Sequence, residues 1–333
     1  VSASGGTIST AVDNANYKLH TFTSNGTFSI TTGSGYLEIL LVGGGGAGGA
    51  ANSSTYSYSK GGGGAGGIVT LATDIFVNGP TTFTVEVGKG GETSNLATFS
   101  TADRVCGKPS RVTATGYSYT SYGGGHGAAS WGNSSAIYMN ESYRNGGGQL
   151  SWNGQAENNY YSPAYARNLN PVGSPGTLSV KSASTGGSAY RTQGAGNSNG
   201  GAGGGAGYEN GYSALFADDE TKSSRGGDGY LWPRTNYYYG AGGGGGVTYA
   251  WPATRSYSTY SSSGRAGTYP GTLYDSGGWA YNNSGLSSGS AGLSGTEYGQ
   301  GGGGGSNYVA STTNVGTGGA GAAGVVIFCY RYK

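Results

Sequence analysis

The sequence predicts a mainly β protein with almost no α-helix: a small β-sandwich closed by the C-terminal strand, plus a glycine-rich layer of polyglycine-type extended helices with long irregular loops. Three observations lead there. Apolar residues that alternate with period two, the mark of a half-buried strand, cluster in the first 115 residues and the last ten. Glycine runs abut these strands directly. No helical periodicity or strong capping box occurs anywhere.

Taken in order, residues 1–16 are small and polar and read as an N-terminal arm or linker. Residues 17–23 (YKLHTFT) and 27–31 (TFSIT) read as strands flanking Asn25-Gly26, a hairpin turn signal. Residues 36–42 (YLEILLV) put Leu37, Ile39 and Leu41 on one face. Residues 68–71 follow a glycine run, residues 81–88 (TTFTVEVG) alternate around Phe83, Val85 and Val87, and residues 111–115 form a weaker strand. Nothing comparable recurs until residues 324–332 (GVVIFCYRY). An unpaired strand exposes a row of donors and acceptors, so this last strand is expected to return beside residues 17–42 or 81–88. The framework is thus residues 17–115 with 324–333, and residues 116–323 form one large excursion.

Glycine accounts for 74 of the 333 residues. The runs 43–49 and 61–67 (both GGGGAGG) and later runs such as 200–207, 240–246 and 301–305 are interrupted mostly by Ala and Ser. A backbone that accepts only small side chains suits close packing against other backbones. An extended helix with three residues per turn has no internal hydrogen bonds, so neighbouring segments can satisfy its polar groups laterally. Gly43, Gly45, Gly61, Gly63, Gly203, Gly243 and Gly303 stand for this scaffold. Flexible linkers or glycine-rich loops are the alternative. A phosphate cradle is not indicated, because no run continues as G-K-[ST].

Composition narrows the function. Net charge is +2 and only 10% of residues are charged, which gives no electrostatic footprint for nucleic acid. No apolar run approaches a membrane span. Collagen is excluded for want of a strict G-X-Y period. Cys106 and Cys329 read as free buried thiols rather than a disulfide. His20 lies in a strand that alternates Lys18, His20 and Phe22 and reads as a surface or interface residue; His126 interrupts a glycine run and reads as a spacer. Asp218-Asp219-Glu220 lacks the D-x-D-x-D-G spacing of a calcium loop and reads as a solvated loop tip. No catalytic motif, metal set or cofactor site is expected.

Tyrosine is the unusual abundance, at 29 residues with five tryptophans. The excursion mixes Tyr, Ser, Asn and Gly much as antibody binding loops do. Its aromatic residues Tyr212, Tyr230, Trp232, Tyr237, Tyr238, Tyr239, Tyr249, Trp251, Tyr257, Tyr260, Trp279 and Tyr281 are the candidate recognition residues. Any single one has a second reading, as a cover for a layer that has no side chains of its own.

The ordered framework segments resemble the glycine-rich domain of bacteriophage tail-fibre and adhesin proteins. They are residues 17–28 (YKLHTFTSNGTF), 37–49 (LEILLVGGGGAGG), 61–70 (GGGGAGGIVT), 83–91 (FTVEVGKGG), 112–115 (VTAT), 301–307 (GGGGGSN) and 319–332 (GAGAAGVVIFCYRY). In related adhesins polyglycine helices form a layer whose end loops touch the host receptor. The resemblance implies a non-enzymatic virion-surface or extracellular protein. Its partners would be a host receptor, glycan or protein, and other fibre or tail proteins, with self-association into a trimer or filament possible. Here residues 116–122 (GYSYTSY) intervene where the family usually enters a glycine run, and the insertions are unusually long. No receptor-contact residue carries over by motif. A self-assembling structural subunit of an extracellular or virion filament is the alternative function.

Overall fold

The computed structural model describes residues 1–51, 61, 63–93, 102–127, 151–152, 155–156, 174–181, 190–191, 198–199, 203–207, 225–249, 266–268, 279–281, 291–305 and 316–332. The fold is mainly β. Eight strands precede the excursion and a ninth opens it: β1 Ser2–Ser4, β2 Thr7–Thr10, β3 Tyr17–Phe22, β4 Gly26–Thr32, β5 Ser34–Val42, β6 Val69–Asn78, β7 Thr81–Glu86, β8 Ser110–Ala114 and then β9 Tyr117–Ser121. Within it lie β10 Ser151–Trp152, β11 Gln155–Ala156, β12 Thr177–Lys181, β13 Tyr190–Arg191, β14 Ser198–Asn199, β15 Tyr230–Trp232, β16 Tyr237–Tyr239, β17 Val247–Tyr249, β18 Gly267–Thr268 and β19 Trp279–Tyr281. β20, Val325–Arg331, follows it. The helix among the described residues is a single turn, Ala102–Val105.

Two antiparallel sheets form the base. One runs β1-β4-β7-β8-β9 and the other β12-β6-β5-β20-β3-β2. As expected, the C-terminal strand returns to the N-terminal ones: β20 lies between β3 and β5, with Cys329 opposite Leu19 on one side and Glu38 on the other. The sheets share a core in which Phe28 of β4 stacks on Phe328 of β20 at 4.1 Å between centroids. Phe83, Val85 and Val112 from one sheet meet Leu37, Ile39 and Ile75 from the other.

Two sequence expectations change. Residues 1–16 are not a free arm: β1 pairs with β4 and β2 with β3, so this segment edges both sheets. Gly5 and Gly6 (φ 106° and 63°) make the crossing. Edge strands open to solvent need few apolar residues, which is why the segment looked like linker. Asn25-Gly26 does not close a hairpin either. β3 and β4 belong to different sheets, so that their aromatic residues Phe22 and Phe28 enter the core from opposite sides. Asn25 Oδ1 instead accepts the Val87 N–H at 2.9 Å.

The excursion is less separate than expected. β12 adds to the edge of β6, and the Ser174 hydroxyl meets both backbone groups of Ser118 in β9. Residues 225–246 also return to the base and the glycine runs. In those runs the backbone bonds follow a period of three. Gly43 and Gly46 donate to Ile68 and Ala65; Gly44 and Ala47 donate to Lys108 and Val105; Gly45, Gly48 and Ala51 donate to Ala322, Gly319 and Gly316. The same stretch accepts from Gly124 and Gly127, from Gly91, and from Gly302 and Gly305. A Cβ on Gly43, Gly45, Gly61, Gly63, Gly203 or Gly243 would lie within 3.0 Å of another segment's carbonyl oxygen. Gly303 donates to Leu293 and accepts from Gly319.

Buried hydroxyls join the two regions where strands run into glycine. Ser110 Oγ donates to the Val42 carbonyl at 2.6 Å and accepts from Gly88 N–H at 2.9 Å. Ser121 Oγ donates to the Ile68 carbonyl at 2.7 Å and accepts from Thr70 at 3.1 Å.

Candidate functional site

The best-described part of the aromatic set is the hairpin β15–β16, registered Tyr230↔Tyr239, Leu231↔Tyr238 and Trp232↔Tyr237. Opposed residues share a face of a hairpin, so Tyr230, Trp232, Tyr237 and Tyr239 form one face, with Leu231 and Tyr238 on the other. The tyrosine face lies on the outer side of the six-stranded sheet, against Leu19, Leu40, Val42, Val69, Val325 and Ile327. Trp232 and Tyr239 are each 2% exposed, so the covering reading describes them. Tyr230 and Tyr237 pack against the same cluster half-buried, while Tyr238 is half-buried on the opposite face.

Polar groups fix this cover. Arg234, in the hairpin turn, bonds Glu38 through Nη2 at 2.7 Å and Nε at 3.2 Å, and Asp13 through Nη1 at 3.0 Å, while stacking over Tyr17. The hydrogen bond to Glu38 holds the guanidinium firmly protonated. Tyr237 donates to Glu297, and burial followed by that carboxylate pushes its phenol pKa up. Tyr239 and Tyr298 stack beside it. Arg234 and Glu297 had no signal in the sequence: each is a lone charge whose partner is remote.

The other candidates divide by how much of them is described. The backbone of β17 runs parallel to β19, with Val247 opposite Trp279 and Tyr249 opposite Tyr281. Tyr190, Tyr249, Trp279 and Tyr281, from three separate stretches of the sequence, therefore share one small sheet, β13-β14-β17-β19. Tyr212, Trp251, Tyr257, Tyr260 and Asp218-Asp219-Glu220 lie outside the described residues.

His20 is not a surface residue. It is fully buried, edge-on to Phe28 at 5.1 Å. A carbonyl only accepts, so Nδ1–H donates to Gly5 at 2.6 Å and Nε2 accepts from the Tyr330 hydroxyl at 3.2 Å. Desolvation, aided by Lys18, lowers its pKa despite the Gly5 bond. The ring pins the crossing between β1 and β2. His126 donates to the Gly127 carbonyl at 2.8 Å in its glycine run. Neither Cys106 nor Cys329 forms a disulfide and both are buried, and burial pushes the Cys329 thiol up to about 12, which suppresses the thiolate. Among the described residues no three metal-ligating side chains gather, and no helix is long and apolar enough to cross a membrane.

A β base with a buried aromatic cover, joined to hydrogen-bonded glycine segments, defines a protein built largely on backbone-to-backbone contact. The glycine-rich domain model matches residues 21–331, and the chain belongs to that family. A search of curated proteins returns no match.

Proposed function

We propose that this chain is a non-enzymatic fibre or adhesin protein, exposed on a virion or cell surface, that binds a host receptor through its tyrosine-rich insertions. In this reading the two sheets are a sandwich and the glycine runs are polyglycine-type helices stacked in a layer; the period of three in their hydrogen bonds supports it. One observation carries the function. Gly207 is bonded to Asp228, Gly246 to Gly61 and Gly292 to Thr317, so the insertions between these residues begin and end on fixed backbone. Fixed ends lower the ordering cost of binding, and Tyr and Trp are efficient contact residues. A protein–protein or glycan contact then concentrates in a few aromatic anchors, each worth about 2 kcal/mol or more on truncation.

The test uses Trp251→Ala and Trp279→Ala, since Trp232 serves the base. Each is expected to weaken attachment to host cells at least tenfold with an unchanged melting temperature. Unchanged attachment with lowered melting overturns the reading. A second reading, the self-assembling filament subunit, is favoured by β2. This edge strand is exposed along its length, carries no charge or proline, includes exposed Ile8 and is followed by exposed Val12; such edges invite strand addition. Concentration-dependent sedimentation that Ile8→Lys abolishes would favour it.

A further inference from the structure

The outer face of the six-stranded sheet, beside the Arg234–Glu38 contact at the turn of the aromatic hairpin, carries a groove of about 620 Å³ lined by Tyr36, Glu38, Thr73, Asp74 and Arg331 among others. Two features set it apart. Tyr36 and Phe76 are opposed across β5 and β6, 66% and 48% exposed, with their rings 5.3 Å apart and inclined at 62°. Phe22, Phe28, Phe83 and Phe328 are all buried, so Phe76 is the phenylalanine that the described fold leaves in solvent. Beside the pair, the register slips between Leu37 and Ile39. β6 there carries an extra residue, and Asp74 adopts φ 57°. The bulge brings Asp74 to the groove, where Thr73 Oγ1 donates to Asp74 Oδ2 at 3.0 Å. Bulges re-aim side chains in this way.

We propose that this groove binds a neutral saccharide. The apolar face of a sugar ring would stack on Tyr36, with Phe76 as flank, and its hydroxyls would bond Asp74 and Arg331. Chemistry favours a sugar over a protein. A protein docking here would bury Asp74 and Arg331 and bear their desolvation, whereas sugar hydroxyls donate to a carboxylate and accept from a guanidinium while adding no charge. An aromatic ring rimmed by a few polar groups provides both contacts. The site lies on the base and holds whether or not the insertions bind a receptor.

Saturation-transfer NMR on the full chain is the test, with glucose-, galactose-, mannose- and N-acetylglucosamine-containing neutral oligosaccharides as probes. At least one probe is expected to receive saturation from the wild type. Tyr36→Ala should reduce that transfer at least tenfold, and Asp74→Asn, which tolerates the same backbone conformation, should weaken it less. Circular dichroism melts identify any variant that is unfolded, and Tyr36→Leu then replaces Tyr36→Ala. No transfer to any probe, or transfer that survives loss of the Tyr36 ring in a folded variant, overturns the proposal. Self-association of the wild type that Tyr36→Ala abolishes also overturns it, making the groove a contact between copies. Host-cell attachment, measured on the same variants, reports on the insertions separately.

Discussion

In the base, Phe28 is buried among rings and aliphatic chains from both sheets, and its position is held by the shape of its neighbours. In the glycine runs Gly45 is buried just as fully, yet its backbone donates to Ala322 and accepts from Gly91, and it has no side chain to be held. One region excludes water with apolar surface. The other does so by bringing backbones so close that each polar group meets another. The difference teaches where each tolerates change: a core accepts apolar swaps of similar volume, whereas packed backbone has no room for one added carbon wherever another segment's carbonyl lies against the glycine, as at Gly45.

Gly45→Ala tests that contrast most severely. Its Cβ would fall within 3.0 Å of the Gln300 carbonyl oxygen, although Ala47, two residues on, is itself fully buried. Loss of the cooperative melting transition is expected. Gly79→Ala, where nothing lies within 4 Å but φ is 76°, should cost only about 1–2 kcal/mol of backbone strain. A stable, cooperative Gly45→Ala protein would remove the distinction between the regions.

Trp232→Ala comes next. Emptying this site in the cover should cost about 3–5 kcal/mol in chemical denaturation. Tyr238→Ala, on the opposite face of the hairpin, should cost far less. Equal losses would mean that the two faces are not divided as described.

Ser110→Ala probes the junction. It removes the acceptor of the Gly88 N–H and one donor to the Val42 carbonyl, and a buried unpaired group costs about 1–3 kcal/mol. Hydrogen exchange should quicken at Gly88 first; a uniform rise across the base would place the weak point elsewhere.

The smallest effect is pH dependence. Because burial lowers the pKa of His20 below 6.5, the unfolded chain binds a proton that the folded chain does not. Stability should therefore fall as pH drops through 6.5 towards the folded pKa. His20→Gln should flatten that slope between pH 7.5 and 5, and a slope equal to the wild type's would assign the effect to other groups.

Much of the base was legible because its strands must show their buried faces as alternation. Leu37, Ile39 and Leu41 do so, and β20 betrayed itself as an apolar strand in need of a partner. Partner choice was not legible: Asn25-Gly26 reads alike whether the chain turns within a sheet or crosses to the next one. His20 misled for a related reason, since both faces of β3 are covered and alternation no longer separates inside from outside. The glycine runs announced close packing by excluding large residues, while the pairing of Gly45 with Ala322 is carried by backbone atoms common to every sequence. Among the aromatics, composition could not mark Trp232 as a cover of the sheet, because covering and contact call for the same amphipathic ring.

The place of β20 bears on how the chain is made. A ribosome releases β3 and β5 early, yet the strand between them emerges only after the whole glycine-rich excursion. Until then both strands present unmet edges and bare apolar faces, so the nascent chain is exposed to aggregation during synthesis. Pairing so distant in sequence is also intrinsically slow. The six-stranded sheet therefore closes only once the excursion has been translated, and a ribosome that stalls inside the excursion leaves that sheet without its central strand while the five-stranded sheet is already complete.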